Sequence, residues 1–324
     1  MAPNRGLGLA PGENGLQAAK IRIGTRGSPL ALAQAREVMR RLVEAHGLAE
    51  EACELAVIRT SGDRITDRSL TEEGGKGLFT KEIEEALQAG AIDLAVHSMK
   101  DMLTVLPAGL AIGATLKRED PRDAFLSLNS DRLADLPAGA VVGTSSLRRQ
   151  AQVLRRRPDL RVVPLRGNVE TRLKTLEEGR ADATFLACAG LNRLGLAKHI
   201  KERMDTEVML PAVAQGAIGV EIRADDAGTR QLVAPLNDVA TALCVAAERA
   251  FLARLDGSCR TPIAGLAELR DGRLKFRGEI LTPDGAQCHT AERTSEAQAA
   301  LRLGEEVAAE LLERAGPDFF RVLA

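Results

Sequence analysis

Apolar and charged residues alternate at Lys20-Ile21-Arg22-Ile23, the two-residue period of a strand, and the alternation stops at Gly24-Thr25-Arg26-Gly27-Ser28. Beyond this turn the period lengthens: Leu32, Ala35, Met39, Leu42 and Val43 fall on one face of a helix. Ser28 suits its N-cap, Pro29 its first position and Gly47 a left-handed exit. The same grammar returns in Ala140-Val141-Val142, then Gly143-Thr144-Ser145-Ser146, then a helix from about Ser146 to Arg156. Each corner sets backbone N–H donors at a helix start, where partial positive charge gathers, and so suits an acid group. Arg26 in the first copy, and Arg148 and Arg149 in the second, add full charges.

A second echo keeps its spacing throughout: Leu87-x-x-Gly90-x-x-Asp93 and Leu176-x-x-Gly179-x-x-Asp182. Each predicts a helix, a glycine C-cap and a strand, the strands being Leu94 to Ser98 and Ala183 to Ala187. The preceding helices are expected to open at the basic-Gly pairs Lys76-Gly77 and Arg166-Gly167. Two echoes in one order imply two α/β domains of one design enclosing a cleft, with ligands at helix N-termini and strand C-termini.

From about Asn237 the pattern changes to a long apolar helix, Ala240 to Leu255, the loop Asp256-Gly257-Ser258-Cys259, two strands around Asp271-Gly272 and a closing helix near Glu296 to Ala315. The expected division is an extension over 1–19, a first α/β domain from 20–116 with 212–236, a second over 117–211, and a smaller α+β domain over 237–324. The Gly-rich stretch Pro211 to Gly219 is expected to return the chain toward the cleft.

Composition narrows the function. The 324 residues carry 44 Lys+Arg against 45 Asp+Glu, a net charge of −1, so any basic feature is local. Without Trp or Tyr, and with seven Phe, stacking platforms for nucleic acid are lacking. The five cysteines are scattered without a C-x-x-C pair, which argues against a disulfide framework or a zinc site and fits a reducing cytoplasm. No stretch has the length of a signal core or a membrane span.

Aligning the second echo sets Asp101 opposite Gly190 and Lys100 opposite Ala189, so Ser98-Met99-Lys100-Asp101 belongs to one half only. A carboxylate at a strand end facing a cleft can steer protons or stabilise a cation, and a solvent-exposed Lys-Asp pair is the plainer alternative. Arg26, Lys76, Lys100, Arg148, Arg149, Arg166, Arg172 and Arg193 share the same predicted rim, and repeated guanidinium forks suit a ligand with several acidic groups. Arg155-Arg156-Arg157 reads instead as a solvated helix face. Cys259 sits on a polar turn, accessible but without a neighbouring histidine to ionise it. The four histidines form no ligand set, and His97 fits a hydrogen-bonded core residue. A non-enzymatic two-domain anion-binding protein would explain the corners and the cleft, but neither Cys259 nor the Asp101/Gly190 asymmetry.

Taken in order, GTRGSPLALAQ, GGKGLFTKEIE, DLAVHSMKD, KREDPRDAF, GTSSLRRQAQ, LRGNVETRL, LPAVAQGAIGVE and RLDGSCRTPI resemble the porphobilinogen deaminase family from about residue 20 onward. The resemblance implies two domains like periplasmic anion-binding proteins and a third carrying a dipyrromethane cofactor in thioether linkage to Cys259. Four porphobilinogen units would be added to this primer with loss of ammonia, and hydrolysis would release hydroxymethylbilane. The expected protein is a cytoplasmic monomer with no nucleic-acid or membrane partner. By family motif Asp101 is the catalytic carboxylate. Arg26, Ser28, Lys76, Ser98, Lys100, Thr144, Ser146, Arg148, Arg149, Arg166, Gly167, Arg172, Arg193 and Gln215 are the implied cofactor- and substrate-binding set. Gly27 and Leu103 depart from the family pattern, the latter standing where a proline commonly follows the lysine–aspartate pair.

Overall fold

A computed structural model describes residues 20–64, 79–255, 262–317 and 319. The 1–19 extension, Lys76 with its Gly77 neighbour, and Cys259 lie outside the described residues.

The chain enters through β1 (Ile21–Thr25) and turns at Ser28, whose Oγ accepts the Ala31 N–H at 3.3 Å, into α1 (Pro29–His46). Gly47, at φ 61°, ends α1 in the left-handed region that a glycine adopts without strain. Next come β2 (Cys53–Val57), a single turn α2 (Ser61–Arg64), α3 (Lys81–Gln88), β3 (Leu94–Ser98) and β4 (Leu110–Thr115). A second group comes after them: β5 (Asp123–Ser127), β6 (Val141–Gly143), α4 (Leu147–Arg156), β7 (Arg161–Val163), α5 (Val169–Glu177), β8 (Ala183–Ala187), α6 (Cys188–Arg193) and β9 (Glu202–Arg203). Then β10 (Ile218–Arg223), α7 (Ala227–Val233) and α8 (Val239–Arg254) precede β11 (Ile263–Arg270), β12 (Arg273–Leu281), β13 (Cys288–Glu296) and α9 (Ala300–Ala315).

Two five-stranded sheets share one plan, with orders β2-β1-β3-β10-β4 and β7-β6-β8-β5-β9. In each, three parallel strands are followed by an antiparallel one supplied from across the molecule: β10 against β3, and β5 against β8. The chain therefore crosses between the sheets twice, and the two crossings pair with each other. Leu116 N donates to Ile218 O at 3.0 Å, Glu119 N to Gly216 O at 3.2 Å, and Arg118 Nε to Gln215 O at 2.8 Å. Gly216 has φ 91°, and a Cβ there would fall 2.4 Å from the Glu119 carbonyl oxygen, so only glycine lets the crossings close up.

The third unit sets α8 and α9 against the antiparallel sheet β11-β12-β13. The sequence predicts two strands here, and the third, β13, is missed because it is an edge strand with a largely polar face from Cys288 to Glu296. Its pairing also shifts the start of the closing helix from near Glu296 to Ala300. In the second unit α5 begins behind the Asn168 cap, so Arg166-Gly167 precedes the first helical turn, while α3 of the first unit begins at Lys81. The buried Glu248 carboxylate joins this third unit to the crossings, accepting from Arg118 Nη1 at 2.5 Å, Ala214 N at 2.5 Å and Ala267 N at 2.8 Å. Among the described residues no helix is long and apolar enough to cross a membrane.

Phe251 and Phe276 meet edge to face at 4.9 Å in the core of this unit. There α8 and α9 pack so closely that a Cβ on Gly304 would lie 2.1 Å from the Ala247 carbonyl oxygen. Gly304→Ala must separate the helices against a close-packed core, at a cost of about 1–3 kcal/mol. The expected result is a melting midpoint lowered by several degrees with a normal far-UV spectrum, and an unchanged midpoint would show that the contact yields freely.

Candidate active site

The two corners stand at the starts of α1 and α4, one in each α/β unit. In the first, Thr25 Oγ1 donates to Ala31 O at 3.2 Å, Ser28 caps α1, and the Arg26 guanidinium lies over the Phe79 ring at 4.2 Å. Gln34 Nε2 donates to Ser98 Oγ at 2.9 Å, tying α1 to the end of β3. Arg26, Ser28, Gln34, Phe79 and Ser98, together with Asp101, Thr80 and His97, line a cavity of about 60 Å³.

Asp101 ends a single 3₁₀ turn, Met99–Asp101, directly after β3. The turn is held from behind: Met99 N donates to Ala217 O at 3.0 Å, and its sulfur covers Gly219, where a Cβ would stand 2.1 Å from Sδ. Met99 is buried while Asp101 is exposed at the cleft. The equivalent strand β8 runs instead into α6, a helix of sequence CAGLNR without a carboxylate, where Gly190 faces Leu30 of α1. Lys100 is accessible yet deep between the two α/β units. Loss of bulk water lowers its ammonium pKa, Asp101 and Asp123 oppose that shift, and Arg149 and Arg148 add to it.

In the second corner, Thr144 Oγ1 accepts the Ser146 N–H at 3.1 Å, and Ser146 Oγ caps α4 by accepting from Arg149 N at 3.4 Å. The cap turns the first turn of α4 toward β5, and Arg148 and Arg149 converge on one buried carboxylate, Asp123. Arg148 Nη1 reaches Oδ2 at 2.7 Å, Arg149 Nη2 reaches Oδ1 at 2.7 Å, and Gln215 Nε2 adds a bond to Oδ1 at 3.2 Å. Despite burial, the two guanidiniums hold the Asp123 carboxyl far below the ordinary range. Two cations against one anion leave a surplus positive charge, and Arg148 Nε has no hydrogen-bond partner among the described residues. Arg172 extends the surplus. It donates from Nε to Gly167 O at 3.1 Å, and its pKa falls to about 10 through burial, then through the charges of Arg149 and Arg166. Gly167, at φ 106°, brings this turn against Thr171, whose Cβ would stand 2.6 Å from an added one.

The expected set is thus only partly gathered. Arg26, Ser28, Ser98 and Asp101 line one cavity; Lys100, Arg148, Arg149, Arg166 and Arg172 form a field of positive charge opposite; Gln215 is a buried crossing residue. Arg193 stands apart, donating to Gly216 O at 2.8 Å beside a cavity of about 240 Å³ that Glu37, Arg41, Lys117 and Glu119 also line. Lys76 and Cys259 lie outside the described residues. Asp123 is absent from the expected set. Its only sequence signal is an acid opening the apolar run Ala124-Phe125-Leu126, where an uncompensated charge would be costly. A dense field of guanidiniums with surplus charge and an orphaned buried Nε fits a group bearing several carboxylates, which is the chemistry of a dipyrromethane.

Residues 21–231 match the family model described as porphobilinogen deaminase, dipyromethane cofactor binding domain, and residues 242–313 match the porphobilinogen deaminase C-terminal domain. A curated relative named porphobilinogen deaminase from Paracoccus denitrificans is 61% identical over 93% of this chain and 96% of its own length. One of the same name from Nitrobacter hamburgensis is 56% identical over 93% and 96%. A solved periplasmic substrate-binding protein of an ABC transporter from Coxiella burnetii aligns over 67% of this chain and 91% of its own, at 16% identity and a TM-score of 0.42. Both family models and both curated relatives lead to one conclusion: the chain belongs to the porphobilinogen deaminase family.

Proposed function

We propose that this chain is a transferase that adds four porphobilinogen units in turn to a dipyrromethane primer on Cys259, releasing ammonia at each step and hydroxymethylbilane at the end. It acts as a cytoplasmic monomer. The observation that carries the reading is the broken symmetry of two matched α/β units: one strand end presents Asp101, and the opposite unit presents surplus guanidinium charge.

The bound dipyrromethane supplies a nucleophilic pyrrole carbon and anionic side chains. Arg148, Arg149, Arg166 and Arg172 hold acetate and propionate groups, since forked donors pair with carboxylates and their mutual repulsion is relieved when an anion enters. Thr144 and Ser146 add hydroxyls and N–H donors at the start of α4. Arg26, Ser28 and Ser98 orient the incoming substrate beside Asp101. Loss of ammonia leaves positive charge on the substrate pyrrole, and Asp101 stabilises that charge before taking the proton released at the coupling carbon. The turn behind Asp101 is fixed through Met99, so the carboxylate meets each substrate in the same place. Lys100, from the same turn, is within the electrostatic reach of Asp123 and its arginines in the other α/β unit.

Three measurements check this reading. Mass spectrometry of the purified protein is expected to show a dipyrromethane-sized adduct on the Cys259 peptide, and an active protein with an unmodified Cys259 would sink the attachment. Asp101→Asn is expected to keep substrate complexes while turnover falls at least ~100-fold in a bilane-forming assay; near-normal turnover would remove Asp101 from the mechanism. Asp123→Asn leaves two buried guanidiniums without their anion and is expected to destabilise the fold by about 3–5 kcal/mol in chemical unfolding. Because the folded pKa of Asp123 is depressed, its contribution is complete above the unfolded value of about 3.9 and is lost as pH falls toward the folded one. Wild type should therefore lose more stability than Asp123→Asn as the pH is taken below about 4.

A further inference from the structure

Asp101 shares its cavity with Ser98, Gln34, Thr80 and His97, and about 60 Å³ gives room for roughly two waters. His97 is buried, with Nε2 3.1 Å from Oε2 of the fully buried Glu221. The other Glu221 oxygen has no hydrogen-bond partner among the described residues. Glu84, on α3, faces the same pair: burial pushes its carboxyl above the usual range, Glu221 adds to that push, and Thr80 and His97 oppose it. From the third unit, Arg249 on α8 senses the Glu221 charge and donates to Leu103 O at 2.6 Å and Thr104 O at 3.1 Å, holding the chain just past Asp101. Arg26 is the further cation on the cavity wall. Two carboxyl groups and an imidazole thus cluster at the cavity that Asp101 lines, with no part in binding an anion.

The proposed reaction gives such a cluster work. At each coupling a pyrrole C–H bond breaks, its electron pair returns to the ring, and its proton passes to an Asp101 oxygen. Asp101 must lose that proton before the next coupling, while a lengthening chain displaces water from the cleft side. The cavity that Asp101 shares with His97 offers another route. We propose that the cavity and the His97–Glu221–Glu84 cluster form a proton relay that empties Asp101 between couplings. The relay rests on the assignment of Asp101 as the reacting carboxylate. With Nε2–H directed at Glu221, Nδ1 of neutral His97 carries the lone pair. Asp101 gives its proton to a cavity water, that water gives one to Nδ1, and the imidazolium is neutralised by Glu221. The proton later returns by the same path and leaves on the ammonia released from the next substrate, as ammonium. Each step moves one proton and consumes no other reactant.

Glu221→Gln and His97→Asn are expected to keep the dipyrromethane adduct by mass and a KM within about twofold, while kcat falls about tenfold or more. In Glu84→Gln the acid limb of kcat is expected to move to lower pH, because a carboxyl whose hold on a proton burial strengthens is gone from the cluster. A readout independent of turnover is the ¹⁵N spectrum of the imidazoles: the His97 signal should change in Asp101→Asn. Wild-type kcat and pH profile in Glu221→Gln, a loss of rate that does not vary with pH, or a His97 signal indifferent to Asp101→Asn would overturn the relay. If His97→Asn does not fold, Glu221→Gln still decides, since its amide oxygen can accept the Nε2–H bond. Should Asp101→Asn keep normal turnover, the assignment of Asp101 fails and the relay fails with it.

Discussion

One buried carboxylate governs the charge of the cleft. Asp123 accepts from both Arg148 and Arg149, and among the described residues no second acid pairs with either guanidinium. Without Asp123 two guanidiniums would stand desolvated and mutually repelling; with two such acids the surplus would vanish and no anion would be drawn in. The same carboxylate also accepts from Gln215, so the charge balance of the site is tied to the crossing between the α/β units. For Arg172 and Lys100 burial first, and the neighbouring arginines after it, lowers the pKa.

That crossing is where the three units meet. Arg118 holds Gln215 by its carbonyl and Glu248 by its carboxylate, and Glu248 in turn receives the N–H groups of Ala214 and Ala267. Ala214 and Gly216 both adopt positive φ, so the segment is bent where it is most heavily hydrogen-bonded. The link from Gln215 to Asp123 and the rest of the third unit on Glu248 therefore meet in the same few residues. The duplicated sheets provide two rigid walls, and they differ in the segments attached to the ends of β3 and β8: a 3₁₀ turn ending in Asp101 on one side, a helix through Gly190 on the other.

Local grammar made much of this legible in the sequence. The cap Ser28, the helix start near Ser146, the strands Leu94–Ser98 and Ala183–Ala187, the long helix that forms as Val239–Arg254, and the shared order of the two halves all depend on neighbours within one or two turns. Such features are written into spacing and residue type. The edge strand β13 escaped because a strand exposed on one face carries too few apolar residues to announce itself. Composition and periodicity pointed to a localised acid-binding cleft, and the ordered motifs identified the family.

Tertiary structure decided what depends on distant partners. That Arg148 and Arg149 share Asp123, that Arg193 turns to Gly216, and that His97 meets Glu221 across the sheet are contacts between residues far apart in sequence. A charge's role is set by what neutralises it and by how much water remains around it, and neither is encoded in spacing along the chain. Sequence alone determined which residue types could hold an acidic ligand and where the chain turns to present them. The packed sheets determined which of those charges are consumed inside the protein and which are left over for the cleft.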